Sequence, residues 1–218
     1  MQLQLASVRW RIAIALAIGT GLVAQALPAT AAKPVVSVLW TDAKGDASNA
    51  AVDLVEGTVS CDRDNISFSM TIADIDLPKL KGNLAYQVYR VKWIQDGSLR
   101  FADAALSYSG DTATGPGVVY EAWADGRYLP NGTEVLEQRE TGKITKGKNA
   151  VVTITMPLQN FGLAPGSVLK SVSSESLTYP WYAFYLGAPT PQATGTLVDK
   201  GGPKLNVTVG KGSCKATK

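Results

Sequence analysis

The chain has 218 residues, with 21 lysines and arginines, 18 aspartates and glutamates, and no histidine. The lack of histidine excludes Ser-His-Asp and Cys-His nucleophilic sites, a histidine general base, and zinc or haem held by histidine. The cationic residues are spread along the chain without a basic run, so we expect no nucleic-acid partner.

The first 31 residues have the plan of a secretory signal peptide. Arg9 and Arg11 precede an apolar run from Ile12 to Ala24, and the small-residue sequence Ala29-Thr30-Ala31 follows. The run is shorter than the roughly 20 residues needed to cross a bilayer, and no second long apolar run follows it. We therefore predict a signal peptide over residues 1–31, a single β-sandwich domain over residues 32–218, secretion, and no transmembrane anchor.

The rest of the chain reads as a succession of short strands. In residues 65–72, Ile66, Phe68, Met70 and Ile72 alternate with polar residues, which predicts a strand with one buried face. The other candidate strands are 35–40, 52–60, 84–94, 99–108, 118–124, 133–139, 152–156, 168–177, 179–186 and 205–209. This pattern predicts an all-β fold, an antiparallel β-sandwich of jelly-roll or immunoglobulin-like type with about ten strands.

Two segments interrupt the strands. Pro157 and Gly162 bound a stretch that is long enough for a single helical turn, with the glycine as its C-terminal cap. The small-residue segment 109–117 is either a loop within one domain or a domain boundary, and we favour the loop.

The first candidate strand is followed by the sequence WTDAKGDA, residues 40–47, in which two aspartates flank a glycine. Asp42 and Asp46 would form a calcium site with carbonyl oxygens and a third carboxylate from a neighbouring segment, namely Asp53, Asp62 or Asp64. The alternative is a turn in which the aspartates accept hydrogen bonds from nearby amides. The cofactor prediction is therefore none, or structural calcium.

The sequence contains two cysteines, Cys61 and Cys214. An exported chain meets an oxidising compartment, where disulfides form and persist. We predict a disulfide between them, with two unpaired thiols as the alternative.

Several short motifs resemble those of a family of secreted domains. They are Asp42-x-x-Gly45-Asp46, Val52-Asp53-Leu54, Asn65-Ile66-Ser67-Phe68, Ala73-Asp74-Ile75-Asp76-Leu77-Pro78, Tyr86-Gln87-Val88-Tyr89 and Val151–Pro157 with Gly162. In these motifs the chain resembles secreted bacterial β-sandwich domains akin to DOMON domains and family-9 carbohydrate-binding modules. The resemblance implies a sandwich fold and a ligand such as a sugar or haem. Haem-binding DOMON domains usually use a histidine ligand, so the lack of histidine argues against haem.

Aromatic residues crowd three of the candidate strands. Flat aromatic side chains bind the apolar faces of sugar rings, while neighbouring polar groups bond to the hydroxyls. We predict a ligand-binding surface that includes Trp93, Trp123, Tyr128 and Trp181, with Trp123 and Tyr128 exposed at a loop tip. The alternative is that these side chains fill the core of a wide sandwich.

These observations predict a secreted, non-catalytic binding module that recognises a polysaccharide or another cell-surface glycan through aromatic side chains. One alternative is an extracellular structural or protein-interaction domain. A second alternative is a carboxylate-dependent glycoside hydrolase, because catalysis by two carboxylates does not require histidine. Its candidate residues are Glu121, Asp125, Glu134, Glu137 and Glu175.

Overall fold

Among the residues that the structure describes, twelve β-strands and one 3-10 turn form the regular structure. The computed structural model describes residues 34–76, 86–109, 118–179 and 195–218. The strands are β1 (Val36–Thr41), β2 (Leu54–Cys61), β3 (Asn65–Ile75), β4 (Tyr86–Gln95), β5 (Ser98–Ser109), β6 (Val118–Tyr128), β7 (Glu134–Arg139), β8 (Thr141–Ile144), β9 (Gly147–Pro157), β10 (Val168–Tyr179), β11 (Thr196–Val209) and β12 (Cys214–Thr217).

The 3-10 turn Leu158–Phe161 follows β9 and ends at Gly162, whose φ of 61° confirms the predicted turn and its glycine cap. In the ranges that the structure describes, no helix is long and apolar enough to span a membrane. The predicted signal peptide, residues 1–31, lies outside these ranges, as do most of segment 109–117 and most of the candidate strand 179–186.

The strands form two antiparallel sheets, which confirms the predicted all-β sandwich. The five-stranded sheet has the order β1-β2-β3-β9-β8, and the seven-stranded sheet has the order β12-β11-β10-β4-β5-β6-β7. Both sheets contribute almost completely buried residues to one hydrophobic core. The described residues hold twelve strands where the sequence predicted about ten, because β8 and β12 are four residues long and carry too little apolar alternation to be recognised.

Strand β3 has the alternation that its sequence predicts. Ile66 and Phe68 are 0% exposed and belong to the core, since a period of two places them on the same face. On the opposite face, Ser67 Oγ lies 2.9 Å from Thr155 Oγ1 of β9. This strand therefore has one apolar face in the core and one polar face with cross-strand hydrogen bonds.

The central strand β4 is buried on both faces. Tyr89, Val91 and Trp93 pack into the core between the sheets. Val88 packs into a second apolar cluster, which lies on the outer face of the seven-stranded sheet because successive side chains of a strand point to opposite faces. The apolar residues on both faces of β4 thus reflect a strand covered on two sides.

Trp40, the first residue of the WTDAKGDA segment, joins the two sheets. Its side chain is 3% exposed, and Nε1 donates a hydrogen bond to Ser174 Oγ of β10 at 3.1 Å. Glycines on both sides leave room for the indole: a Cβ atom would lie 2.3 Å from the ring at Gly57 of β2 and 2.4 Å from it at Gly201 of β11. A side chain at either glycine would displace the tryptophan.

Cys61 and Cys214 form a disulfide, as predicted. Their Cα atoms are 5.1 Å apart, and 153 positions separate them in the sequence. Cys61 ends β2 of the five-stranded sheet and Cys214 begins β12 of the seven-stranded sheet. The bond therefore links the two sheets covalently.

Candidate functional site

A groove of about 870 Å³ opens at the end of the sandwich where the disulfide lies. Three connections border it: the β2–β3 turn, the 3-10 turn with the segment that follows it, and the β11–β12 turn. Because three separate connections meet here, the groove is a property of the folded chain and has no contiguous sequence motif.

The floor of the groove is apolar. It is formed by Leu158, which is 6% exposed, by Leu163, which packs against the core, and by Pro157 and Pro165. Backbone hydrogen bonds hold this floor in place: Leu158 N donates to Asp64 O of the β2–β3 turn at 2.8 Å, and Leu163 N donates to Leu158 O at 3.0 Å. The floor of the groove is thus attached to the β2–β3 turn, which borders it.

The rim of the groove is polar. In the β2–β3 turn, Asp62 Oδ1 accepts hydrogen bonds from the amides of Asp64 and Asn65 at 2.8 and 2.7 Å. These bonds, of which that from Asp64 has the largest effect, hold the pKa of Asp62 below its ordinary value. The Asp62 carboxylate therefore accepts hydrogen bonds within the turn and stabilises it. The exposed polar residues that line the groove are Arg63, Asp64, Gln159 and Lys211.

Trp93 does not contribute to a binding surface in this structure. Its side chain is 1% exposed, with its ring centroid 6.0 Å from that of Phe68 and 5.8 Å from that of Phe161. Since both faces of its strand are covered, Trp93 has no free face for a ligand. The ligand-binding role predicted for Trp93 is corrected to a packing role.

The other predicted aromatic residues do not form a common surface among the residues that the structure describes. Trp123 is half-buried, and its ring packs so closely on β8 that a Cβ atom at Gly142 would lie 2.1 Å from its Nε1 atom. Tyr128 is also half-buried at the end of β6; neither residue is at an exposed loop tip, which corrects that expectation. Trp181 lies outside the described residues. Of the described aromatic side chains, Tyr120 alone is largely exposed, at 53%.

The outer face of the seven-stranded sheet holds a buried arginine that the sequence analysis did not single out. Arg90 and Asp103, both 0% exposed, form two hydrogen bonds of 2.6 and 2.7 Å. Arg90 also donates to both oxygens of Glu134 and to the Tyr128 hydroxyl, and its guanidinium lies 4.2 Å from the centroid of the Phe101 ring. The signal for this site is an arginine within the apolar strand sequence YQVYRVKWI.

Arg90 favours the ionised form of the Glu134 carboxylate. Burial raises the pKa of Glu134, but the hydrogen bonds and charge of Arg90 outweigh burial and hold that pKa below the ordinary value. Both carboxylate oxygens of Glu134 therefore take part in the ion pair with Arg90. A general acid needs a raised pKa, so Glu134 fits a structural role.

Two further carboxyl groups are buried where β6 and β7 lie beside β8. Asp125 is 0% exposed and Glu140 is 9% exposed. Burial, reinforced by repulsion from Glu137, raises the pKa of Asp125 to about 6. Burial and repulsion from Asp125 raise the pKa of Glu140 to about 7. Such values suit acid–base chemistry, but Asp125 has no surface that a substrate atom would reach.

The remaining candidate carboxylates each pair with a cation. Glu121 pairs with Lys146 and Glu175 with Lys92. Glu137 pairs with two arginines, Arg100 at 3.0 Å and Arg127 at 2.8 Å.

The structure separates the two aspartates of the WTDAKGDA segment. Asp42 Oδ1 accepts a hydrogen bond from the amide of Ala43 at 2.8 Å, as in the predicted turn. Asp46 instead lies with Asp53 and Asp199, and one carboxylate oxygen from each lies within 4.8 Å of the others. Asp42, which the sequence predicted as a ligand, is not in this group. Asp199 of β11 is in the group, but it is far from residues 40–47 in the sequence and no local motif marked it.

The comparisons with known proteins give no relative: no family model, curated protein or solved structure matches this chain. The resemblance to DOMON domains and family-9 carbohydrate-binding modules stays a prediction.

Proposed function

We propose that this protein is a secreted, non-catalytic module that binds a glycan in the groove at the end of the sandwich. The observation that supports the proposal is the groove itself. Its volume of about 870 Å³ lies within the range of about 300–1,000 Å³ that is typical of ligand sites.

The chemistry of the groove suits a sugar chain. An apolar floor of proline and leucine contacts the C–H faces of sugar rings. The rim offers a guanidinium, a carboxylate, an amide and an ammonium group, at Arg63, Asp64, Gln159 and Lys211. These groups supply the donors and acceptors that sugar hydroxyls need. The two cations exceed the one carboxylate, so a glycan with uronic acid groups should bind more tightly than a neutral one.

The groove favours binding over hydrolysis. Glycoside hydrolysis usually requires two carboxyl groups that flank the scissile bond. Asp64 is the one carboxylate among the described residues that line the groove. A module that binds without cleaving the chain is therefore the function that this geometry supports.

The disulfide supports the secreted part of the proposal. A bond between Cys61 and Cys214 persists in an oxidising compartment and is rare in the reducing cytosol. Intact-mass measurement of the exported protein should give a chain that begins at Ala32. Retention of residues 1–31 on protein isolated from the medium would contradict the predicted cleavage.

The glycan proposal is tested by affinity electrophoresis through gels that contain neutral or uronic-acid polysaccharides. The double variant Gln159→Ala/Lys211→Ala removes two exposed rim groups and should weaken binding at least tenfold. The control Tyr120→Ala removes the exposed aromatic of β6 and should leave binding unchanged.

Two outcomes would contradict the proposed glycan site. Loss of binding in Tyr120→Ala alone would move the site to the face of the seven-stranded sheet and reject the groove. No retardation by any polysaccharide would reject the glycan and favour the alternative of an extracellular structural or protein-interaction domain.

A further inference from the structure

Three acidic residues meet at the end of β2 opposite the groove. Asp46 lies in the β1–β2 connection, Asp53 directly precedes β2, and Asp199 lies on β11. One carboxylate oxygen from each lies within 4.8 Å of the other two. The group therefore brings together residues from both sheets.

Asp53 is the residue in this group that needs a partner. Its side chain is 1% exposed. Oδ2 accepts a hydrogen bond from the amide of Gly45 at 2.7 Å, whereas Oδ1 is buried and has no hydrogen-bond partner in the described part of the chain. Burial of a carboxylate oxygen without a partner is costly. A bound cation would supply the missing interaction.

Backbone amides orient two of the three carboxylates, those of Asp53 and Asp199. Gly45 has a φ of 94°, a conformation that favours glycine, and its amide holds Asp53. Asp199 accepts hydrogen bonds from the amides of Leu54 and Lys200, both at 2.7 Å. Two of the three carboxylates are thus oriented by the fold itself.

No salt bridge between described residues neutralises the charge of the group. Burial raises the pKa of Asp53, with further increases from Asp46 and Asp199, while the Gly45 amide and the charge of Lys44 lower it. The Lys44 ammonium donates a hydrogen bond to Asn149 Oδ1 at 3.1 Å. The three carboxylates therefore carry an excess of negative charge around a buried oxygen.

The ligand types indicate which ion fits. Calcium takes six to eight oxygen ligands at about 2.3–2.6 Å, so two ligands on opposite sides of the ion lie about 4.8 Å apart. The separations within 4.8 Å in this group are compatible with that span. The chain has no histidine and both cysteines are in the disulfide, so it offers neither the imidazole nor the thiolate ligands that favour zinc.

We propose that Asp46, Asp53 and Asp199 bind one calcium ion, which fastens the β1–β2 connection to β11. The ion completes the coordination of the buried Asp53 oxygen and offsets the repulsion among the three carboxylates. Carbonyl oxygens and water complete its ligand shell. The site does not depend on the proposed glycan function, because it lies at the opposite end of β2 from the groove.

The test is calorimetric titration of calcium into the full chain after dialysis against a chelator, with thermal unfolding as a second measurement. One equivalent of calcium should bind and raise the melting temperature. Asp46→Asn changes an exposed side chain and should fold normally, yet it should weaken calcium binding at least tenfold. The matched control is Asp42→Asn, on the same loop but outside the group, which should bind calcium as the unmodified chain does.

A third measurement locates the ion. Terbium replaces calcium at oxygen sites and emits when a nearby tryptophan is excited, and Trp40 packs on Gly201, two residues from Asp199. Terbium emission should appear with the unmodified chain and Asp42→Asn, and should be lost in Asp46→Asn. The proposal is overturned if calcium gives neither heat nor a shift in melting temperature, or if Asp42→Asn impairs binding as much as Asp46→Asn.

Discussion

Asp125 is a fully buried carboxyl group whose burial is only partly offset, and its replacement by asparagine would measure what that burial does to stability. The side chain is 0% exposed, and neither carboxylate oxygen has a hydrogen-bond partner among residues 34–76, 86–109, 118–179 and 195–218. Burial and repulsion from Glu137 raise its pKa from 3.8 to about 6, although the charge of Arg100 lowers it. Asparagine has nearly the same shape and no charge.

The sign of the effect follows from proton linkage. Between pH 3.8 and about 6, the folded protein keeps the Asp125 proton that the unfolded chain has released. The folded state therefore binds more protons, and the free energy of unfolding falls as the pH rises through this window. One pKa unit corresponds to about 1.36 kcal/mol, so the full loss is about 3 kcal/mol.

The assay is urea unfolding of the native chain and of Asp125→Asn at pH 4 and pH 8, extrapolated linearly to water. The variant should gain about 2.4 kcal/mol relative to the native chain between the two pH values, since it lacks the ionisation penalty and pH 4 already lies slightly above the ordinary pKa of 3.8. Comparison between two pH values cancels the cost of burying the amide. The control Glu121→Gln removes a partly exposed carboxylate that pairs with Lys146 and tests whether the loss of any one carboxylate has the same effect. An unchanged pH dependence in Asp125→Asn would refute the reasoning.

Three further substitutions test the contacts that hold the sheets. Replacing Cys61 and Cys214 by serine should lower the free energy of unfolding by about 4–5 kcal/mol in urea, because the bond closes a loop across 153 positions; a loss below about 1 kcal/mol would contradict this. Arg90→Met removes the cation that pairs with the buried Asp103 and the half-buried Glu134 and should cost about 3–5 kcal/mol in the same assay, whereas equal stability would show that the ion pair is dispensable. Gly201→Ala places a Cβ atom 2.4 Å from Trp40, so thermal unfolding should show a loss of about 1–3 kcal/mol, and an unchanged melting temperature would show that the ring has room to move.

The parts of the fold that sequence predicts well are those set by local alternation. The period of two in β3 places Ile66 and Phe68 on one face, and that face is the buried one. The disulfide was also predictable, because two cysteines allow one pairing and the predicted export would take the chain to an oxidising compartment. The 3-10 turn was marked by Pro157 and Gly162.

The parts that sequence predicts badly depend on long-range pairing. Trp93 lies on a strand that is apolar on both faces, and an apolar pattern does not show whether a face meets another layer or a ligand. Its burial depends on Phe68 and Phe161, which come from other parts of the chain. Asp199 is likewise brought to Asp53 by the contact between β11 and the start of β2, where its carboxylate accepts a hydrogen bond from Leu54 N.

The strand pair β1–β2 is attached to the seven-stranded sheet along its whole length. At one end the attachment is covalent, through Cys61 and Cys214. In the middle it is the indole of Trp40, which bonds to Ser174. At the other end it is Asp199, which accepts from Leu54 N and which we propose shares a calcium ion with the loop before β2. Because the groove borders the disulfide, its shape depends on the covalent end. A cation at the opposite end would stabilise the domain without entering the groove, so the proposed metal binding and the proposed ligand binding would be separable by mutation.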